Sequence, residues 1–534
     1  MASGTVSASR RQLLAGMLGA CGASALLAAC GSSGSTAATA SASAAGAAST
    51  SAAAGSATSV STSVVASSTA AASTARAATS ASAKPLPTPS SRSVLKAGLT
   101  KVEYLCVFSS GTSYDEYVTL FNQFNQQNDK IQVEVLPGTN SFVTTREKVL
   151  VAHAAGGDAG DFYENGWGPF TDMADEQVIA DLSTIIAADK FDTTIFIPNV
   201  LQAWQYNGKQ WAIPPFVAAD AIGYNMDLFD AAGLKYPPTD PTDTSWTMET
   251  FLDTATKLTR TGTQWGYGGG ITCYNQAGVT AGTFFGEQPW DDTQKKSLMD
   301  TDTFKKGLQY FYDLTDKKYH VQPNADESKG FPTGLDSNLE SGKIGLTVIC
   351  GRLNKAKIKN RLALGTSPYS GPAPNQSGRF FADGLHIDNN SKVKSETFEV
   401  FKWLMTPNPN AAYALALGQS VSSLKAGNPA MSKAYQDATG LDPKAFNLQA
   451  QYSHNSGNGL LKYANWAKVL SQINPLYADF NSGKIDVNTY ANQAAIFINK
   501  GILTPTAGVE LHLASAASPA APENAGRCGC VSLA

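Results

Sequence analysis

The sequence predicts an α/β fold organised around a largely parallel sheet. Residues 101–108 are rich in apolar side chains, as in a buried strand, and residues 130–136 alternate between apolar and polar side chains. Between these two strands, apolar residues recur at helical spacing from 117 to 124. A strand, a helix and a strand in so short a stretch form a βαβ unit, whose crossover predicts a right-handed parallel sheet.

Later segments continue this pattern. Residues 344–350 form another short apolar run, which predicts a strand. Phe398, Phe401 and Leu404 lie at helical spacing on a predicted helix that ends before Pro407, since proline breaks a helix interior. No segment repeats at a fixed period, so the sequence does not predict a solenoid or a propeller.

The length and charge of the chain exclude two classes of protein. At about 150 residues per domain, the 534 residues correspond to about two to four domains. Residues 1–100 contain six basic and no acidic residues, and the remainder carries a formal charge of −9. This negative balance argues against a nucleic-acid partner, because binding phosphates requires an excess of Lys and Arg. A single apolar run, within residues 13–29, approaches membrane length, which excludes a polytopic membrane protein.

Residues 1–30 have the architecture of an export signal, with a basic pair, a short apolar stretch and then small residues. The pair Arg10-Arg11 and the apolar residues after it resemble a twin-arginine signal, although the general export route stays open. The tetrapeptide Leu-Ala-Ala-Cys that ends at Cys30 resembles the bacterial lipobox, which implies that Cys30 is lipidated. The alternative is an uncleaved single-pass anchor. Both place the folded part outside the cytoplasm, on the outer face of the cytoplasmic membrane.

Residues 31–100 form a low-complexity segment in which Ala, Ser and Thr account for 42 of the 50 residues from 31 to 80. Because those 50 residues include no aromatic side chain, no core can form there, and we expect a disordered tether. The tether would lift the folded part off the membrane; the alternative is a neutral low-complexity insertion. We assign residues 101–511 to the folded part and residues 512–534 to a disordered tail.

Motifs between residues 209 and 260 carry a resemblance to a known family. Lys-Gln-Trp-Ala-Ile-Pro-Pro begins at Lys209, and Ile-Gly-Tyr-Asn-Met-Asp-Leu-Phe-Asp-Ala-Ala-Gly-Leu begins at Ile222. A Pro-Pro pair and Ser-Trp-Thr-Met-Glu, beginning at Ser245, come next. In this order the motifs resemble the bacterial extracellular solute-binding protein family 1, the maltose-binding-like receptors of ABC importers. Many members have a tryptophan at the position of Met248, a departure that affects only a helix start.

Further segments resemble the same family in the same order, over about 400 residues: 161–167, 182–183, 340–346, 383–384, 391–392 and 396–405. The resemblance implies a two-lobed periplasmic-binding-protein fold of type II. Each lobe would be a mixed, mostly parallel sheet flanked by helices, and crossing hinge segments would join the lobes. It also implies a monomeric receptor that captures a sugar or oligosaccharide and delivers it to the permease subunits of an ABC transporter.

In the family fold, ligands lie between the lobes at the carboxyl ends of strands. A sugar has apolar C–H faces and hydroxyl edges, so its site needs aromatic side chains and fixed hydrogen-bonding groups. Candidate aromatic residues fall in predicted loops: Trp167, Phe216, Tyr274, Phe285, Trp290 and Tyr369. Candidate polar residues stand beside predicted strand ends: Ser110, Asp220, Arg352 and Asp383.

The candidates also have structural explanations. Trp167 could pack on the surface, Asp220 and Asp383 could belong to ordinary turns, and Arg352 could form a surface ion pair.

Other residues in the family motifs are predicted to be structural. Trp211 is expected in the core or between the lobes, and Trp403 in the core. Trp246 is expected to pack at a helix start that Thr247 caps. The pair Tyr224-Asn225 is expected in the crossing between the lobes.

Sequence motifs of catalysis are missing. The chain contains no Gly-x-Ser-x-Gly, no His-Glu-x-x-His and no P-loop string, and its five histidines are far apart. We therefore predict a binding protein with no enzymatic activity, no cofactor and no metal site. Two alternatives stay open: a surface glycoside hydrolase with an unmarked pair of carboxylates, and a ligand sensor for a membrane kinase.

The cysteines allow more than one interpretation. Cys106, Cys273 and Cys350 are flanked by apolar or small residues, which favours buried thiols. A disulfide among them stays open in an oxidising compartment. Cys528 and Cys530 lie in the predicted tail, where they could pair or bind a metal ion, although two ligands make a weak site.

Overall fold

The structure is a computed structural model that describes residues 92–166, 170–269, 277–291, 296–324, 326–329, 339–349, 353, 358–369, 378–419, 421–453 and 466–503. The chain divides into two units, Met1–Ala83 and Lys84–Ala534, and all described residues belong to the second unit. The predicted export signal, Cys30, most of the tether and the predicted tail lie outside the described residues. Among the described residues, no helix is both long and apolar enough to cross a lipid bilayer.

The strands are short and spread along the whole described chain. In chain order they are β1 (Thr100–Leu105), β2 (Ile131–Leu136), β3 (Phe162–Asn165), β4 (Gln205–Tyr206), β5 (Lys209–Gln210), β6 (Phe216–Ala219), β7 (Ala221–Asn225), β8 (Trp265–Tyr267), β9 (Ile344–Ile349), β10 (Leu362–Gly365), β11 (Phe380–Phe381), β12 (Gly384–Ile387) and β13 (Val421–Ser422).

Helices alternate with these strands and dominate the last hundred described residues. In chain order they are α1 (Thr112–Gln127), α2 (Phe142–Ala154), α3 (Thr171–Asp175), α4 (Leu182–Asp189), α5 (Pro198–Gln202), α6 (Met226–Ala232), α7 (Met248–Leu258), α8 (Asp302–Tyr312), α9 (Lys394–Leu404), α10 (Pro407–Ala416), α11 (Pro429–Thr439), α12 (Lys444–Tyr452), α13 (Trp466–Ser482) and α14 (Val487–Leu503).

The first lobe is built on a four-stranded sheet in the order β12-β3-β1-β2. Strands β2 and β3 are parallel to β1, and β12 joins β3 antiparallel, so the predicted βαβ opening is confirmed. Helix α1 packs its apolar face, including Phe121 and Phe124, on this sheet together with α9 and α10. Cys106, which directly follows β1, is a buried free thiol, as predicted. Cys273 and Cys350 lie outside the described residues.

The second lobe is built on a mixed sheet in the order β10-β7-β9-β8. Strands β10 and β9 flank β7 antiparallel, and β8 runs parallel to β9. Helices α7 and α8 and the last two helices, α13 and α14, share one core with this sheet. The chain therefore completes the second lobe only after it has returned to the first.

An antiparallel ribbon joins the two lobes. Ile213 pairs with Leu385 beside the first sheet, and further along β6 pairs with β11. The outgoing strand then continues into β7 of the second sheet, whereas the returning strand comes from β10. A separate core of β6, β11, α11 and α12 packs around this ribbon. Two crossing connections thus run side by side, which is the hinge arrangement that the resemblance implied.

Residues predicted to be structural take structural places. Trp211 and Trp246 are buried, and Trp403 packs half-buried against the core of the first lobe. Tyr224 is buried in the second lobe at the end of β7. Asn225 caps α6, because its side-chain oxygen accepts hydrogen bonds from two backbone N–H groups, at 3.1 and 3.3 Å.

Candidate functional site

The carboxyl ends of β1, β2 and β3 lie at one edge of the first sheet, where the antiparallel β12 begins. Ser110 is exposed there, in the loop between β1 and α1. Gly166 follows β3, and Asp383 precedes β12 directly beside it. A Cβ on Gly166 would stand only 2.7 Å from Oδ1 of Asp383, so the glycine lets the carboxyl group lie against the backbone.

Asp383 shares this buried position with a second carboxyl group, that of Glu164 in β3. The two residues are 3% and 4% exposed. The hydroxyl of Tyr413 donates to Oε2 of Glu164 at 2.9 Å. The hydroxyl of Tyr104 lies 3.0 Å from the hydroxyl of Tyr413, within hydrogen-bond distance. The two carboxyl groups and the two phenols form one hydrogen-bonded network under the edge of the sheet.

Burial makes this network favour protonated acids. Burial raises the pKa of Asp383 to about 7, against the opposing effect of its hydrogen bond with Glu164. Burial, and then the charge of Asp383, raise the pKa of Glu164 well above its usual range. No described lysine or arginine forms an ion pair with either group. Of the two acids, Asp383 ionises the more readily, because the contact between them lowers the pKa of Asp383 and raises that of Glu164.

In the second lobe, the corresponding part of the site is the end of the sheet at which β7 begins and β8 and β9 end. Asp220 lies between β6 and β7, and Arg379 lies opposite it on the returning strand. Their side chains approach to 3.5 Å and are 1% and 2% exposed. The backbone N–H of Asp220 donates to the carbonyl of Arg379 at 2.8 Å, and the hydroxyl of Ser367 donates to the carbonyl of Asp220 at 3.2 Å. A buried ion pair therefore ties the two crossing strands together where they enter the second lobe.

The remaining predicted aromatic residues are not brought together. Phe216 is fully buried in the first lobe, and Trp290 is 3% exposed in the core of the second. Phe285 is half-buried against Tyr310, with its ring centroid 5.5 Å away. Tyr369 is half-buried, and its N–H donates to the carbonyl of Trp246 at 2.5 Å. Phe216 and Trp290 therefore have little surface to offer a ligand in this conformation.

Trp167, Tyr274 and Arg352 lie outside the described residues, and their predicted roles stay predictions. Two members of the described site were not predicted, Glu164 and Arg379. Glu164 carried a signal, since it directly follows the apolar pair Phe162-Tyr163 and a carboxylate in a buried strand is costly unless it is paired or protonated. Arg379 carried none, because its partner Asp220 is far away in the sequence. Among the described residues, no three His, Cys, Asp or Glu side chains are arranged to hold a metal ion.

Comparisons with known proteins agree with this architecture. The model of the bacterial extracellular solute-binding protein family matches residues 109–411, more than half of the 534-residue chain. No curated protein matches the chain.

Three solved structures are similar to this chain over about three quarters of its length. An ABC substrate-binding protein from Listeria monocytogenes in complex with cycloalternan is 22% identical, with a TM-score of 0.57 over 75% of this chain and 98% of that one. A cyclic α-maltosyl-1,6-maltose binding protein from Arthrobacter globiformis is 17% identical, with a TM-score of 0.60 over 76% and 99%. A sugar transporter from Rhizobium etli in an open conformation is 16% identical, with a TM-score of 0.61 over 75% and 99%. At these identities, the similarity establishes the fold.

Proposed function

The chain belongs to the family of bacterial extracellular solute-binding proteins, and from this premise we propose that it captures a sugar or oligosaccharide between its two lobes. It then delivers the ligand unchanged to the permease of an ABC transporter. Structures with the same fold have been solved with bound sugars, which supports this choice of solute.

The observation that carries the proposal is the ribbon between the lobes. In each lobe, strand ends of the sheet lie where the crossing strands of the ribbon enter that lobe, so a ligand bound beside the ribbon contacts both lobes. Rotation about a few residues of the ribbon would close the lobes over it. The ligand drives closure only to the extent that it binds the closed form more tightly than the open form.

The site residues belong to the same proposal. Asp383 and Asp220 stand where the ribbon meets each lobe, and because they are 3% and 1% exposed they would orient ligand hydroxyl groups through neighbouring residues. Ser110 offers an exposed hydroxyl at the edge of the first sheet. The aromatic surfaces would come from loops beside these edges: Trp167, Tyr274, Phe285 and Tyr369, with Arg352 as a further polar group.

A glycoside hydrolase is a weaker candidate. Such enzymes hold two carboxyl groups roughly 5–10 Å apart, on either side of the scissile bond. Glu164 and Asp383 instead lie buried in one position beneath the sheet edge, 4% and 3% exposed, where a glycosidic bond would not reach them from solvent. A sensor that reports the same ligand to a membrane kinase would need the same site, and only the partner in the membrane would differ.

We further propose that the receptor is an exported, monomeric lipoprotein anchored through Cys30. The Ala/Ser/Thr-rich composition of residues 31–100 supports this proposal, because a chain of about 70 such residues, if it behaves as a flexible coil, would have an r.m.s. reach of roughly 40–50 Å. That reach would let an anchored receptor search the space above its permease.

A screen of sugars against residues 31–534, the chain without its predicted export signal and lipidated Cys30, tests the function. With the right glycan we expect a raised melting temperature, a change in tryptophan fluorescence and a smaller radius of gyration in solution scattering. The glycan should be recovered intact. Cleavage products that accumulate with time would instead favour the hydrolase, and a complete absence of binding to any sugar would overturn the proposed ligand class.

A further inference from the structure

The second lobe contains a cavity of about 510 Å³ that the site described above does not use. It lies between the end of α8, the following kinked segment Asp313–Lys317, the loop beginning at Gln322 and the second half of α13. Its volume falls within the range of roughly 300–1,000 Å³ that is typical of small-molecule sites.

Aromatic rings and amide groups line this cavity. Tyr312 and Phe480 pack with ring centroids 5.0 Å apart and 32° between their planes, and Tyr477 lies beside Phe480 at 6.2 Å. Gln322 and Asn481, which carry amide side chains, line the same space. Rings that can cover apolar C–H faces and amides that can bond hydroxyl groups are the combination expected for a sugar.

The charges at the rim are compensated. Asp326 pairs with Lys329 at 2.6 Å, and Asp316 lies 3.9 Å from Lys317. A strongly charged ligand would therefore find no excess of opposite charge. This balance favours a neutral, hydroxyl-rich ligand over a phosphate or an amine.

The cavity adjoins the end of the second sheet at which β8 and β9 end and where we propose that the ligand binds. The N–H of Tyr267, the last residue of β8, donates to the carbonyl of Val321 at 2.9 Å. Just beyond, a Cβ on Gly269 would stand 3.7 Å from Oε1 of Gln322. Since β8 is the edge strand and β7 lies two strands away, the cavity is about 10 Å or more from the ribbon. A ligand that reaches both places must be extended.

We propose that this cavity, the outer subsite, binds the distal sugar unit of an oligosaccharide whose other end is held between the lobes. The inference rests on the proposed function and narrows it, because a monosaccharide could not occupy both places. Tyr312 and Tyr477, both half-buried in the cavity wall, supply the stacking surface, while the buried Phe480 packs against both rings. Gln322 and Asn481 bond the hydroxyl groups. Gly483 leaves space for this arrangement, as a Cβ there would come within 2.9 Å of the Tyr312 hydroxyl.

Titration calorimetry with two chain-length series tests the outer subsite: maltose to maltohexaose and β-1,4-mannobiose to mannohexaose. The wild-type protein should bind the longer members of one series more tightly than the dimer. Tyr312→Ala should weaken binding of the long members about tenfold, and Asn481→Ala about three- to tenfold, with the affinity for the dimer unchanged. Asn481 is exposed, so its substitution leaves the fold intact.

Two matched variants serve as controls. Tyr319→Ala removes a tyrosine that is 40% exposed outside the cavity, and Asn488→Ala removes an exposed amide on α14; neither should change any affinity. Equal weakening of short and long glycans, or no weakening by either cavity variant, would overturn the outer subsite while the proposed function stands. A wild-type protein that binds no member of either series, nor any other sugar, would overturn the proposed function itself.

Discussion

Glu164 and Asp383 place two carboxyl groups in one buried position, where β3 ends and β12 begins. Solvent stabilises a carboxylate far better than the protein interior does, so two acids at this depth cannot both be ionised without a large cost. Keeping a proton on the pair avoids this cost, and burial and the charge of Asp383 accordingly raise the pKa of Glu164 well above its usual range. Asp383 was a sequence candidate for ligand binding; the structure adds the partner that determines its protonation.

This arrangement predicts how stability depends on pH. The pKa of Asp383 is about 7 in the folded chain and near 3.8 when unfolded, so folding becomes less favourable as pH rises from about 4 to 7. Asp383→Asn keeps the shape of the side chain and removes the charge. It should stabilise the protein by about 1–3 kcal/mol at pH 8 and by much less at pH 4.5, as measured by urea unfolding at both pH values.

Asp253→Asn is the matched control, because Asp253 lies on the exposed face of α7 and pairs only with Lys257. It should shift the unfolding midpoint little, and equally at both pH values. If Asp383→Asn changed the free energy of unfolding by the same amount at pH 4.5 and pH 8, the pKa of Asp383 would not differ between the folded and unfolded chain, and this prediction would be wrong.

At the scale of elements, the start of α7 shows how local sequence determines a boundary. Thr247 accepts a hydrogen bond from the N–H of Thr250 at 3.3 Å, and the Thr250 hydroxyl accepts one from the N–H of Thr247 at 2.7 Å. This is a reciprocal capping box. Trp246, directly before the cap, packs on Phe251 with ring centroids 5.9 Å apart. That contact is a hydrophobic staple, and it confirms the role predicted for Trp246.

Loss of the cap should have a defined cost. Thr247→Ala leaves the N–H of Thr250 without its side-chain acceptor and should lower the free energy of unfolding by about 1 kcal/mol. Thr256→Ala makes the same substitution at an exposed position inside α7, where alanine is the better helix former, and should be neutral or slightly stabilising. Urea unfolding followed by circular dichroism compares the two. Equal effects would mean that the cap contributes nothing specific.

At the scale of the whole molecule, the ribbon must hold the lobes together and still allow them to move. Asp220 and Arg379 pair at 3.5 Å across its two strands, almost fully buried, and the Arg379 guanidinium also lies 5.5 Å from the ring of Phe381. A buried ion pair adds little net stability, but removing one partner leaves an uncompensated charge. The pair therefore fixes the register of the crossing strands at the entrance to the second lobe.

Arg379→Met should lower the free energy of unfolding by about 3–5 kcal/mol, because the buried Asp220 carboxylate loses the positive charge beside it. Combining it with Asp220→Asn should recover a large part of that loss. Arg361→Met breaks an exposed pair with Asp227 and should change the unfolding midpoint far less. A double variant no more stable than Arg379→Met alone would show that the two side chains are not coupled.

Much of the fold was predictable because its signals are local. The alternation in β2, the helical spacing in α1 and the cap of α7 each depend on neighbouring residues, and the structure confirms all three. The candidate site was predictable only in part. Asp220 and Asp383 stood next to predicted strands, but nothing near them in the sequence revealed that one faces Arg379 and the other Glu164.

Periodicity and composition were enough to predict the α/β class and the first βαβ unit, because these signals act over a few residues, and the resemblance of the motifs to a known family added the expectation of a solute receptor. Which strands share a sheet and which two carboxyl groups meet follows only from the folded chain. Folding also decided that α8 and α13, about 160 residues apart in the chain, enclose one cavity. Burial and electrostatic pairing depend on distance in space and not on distance along the chain. The crossing ribbon brings segments that are far apart in the sequence to the same ends of the two sheets.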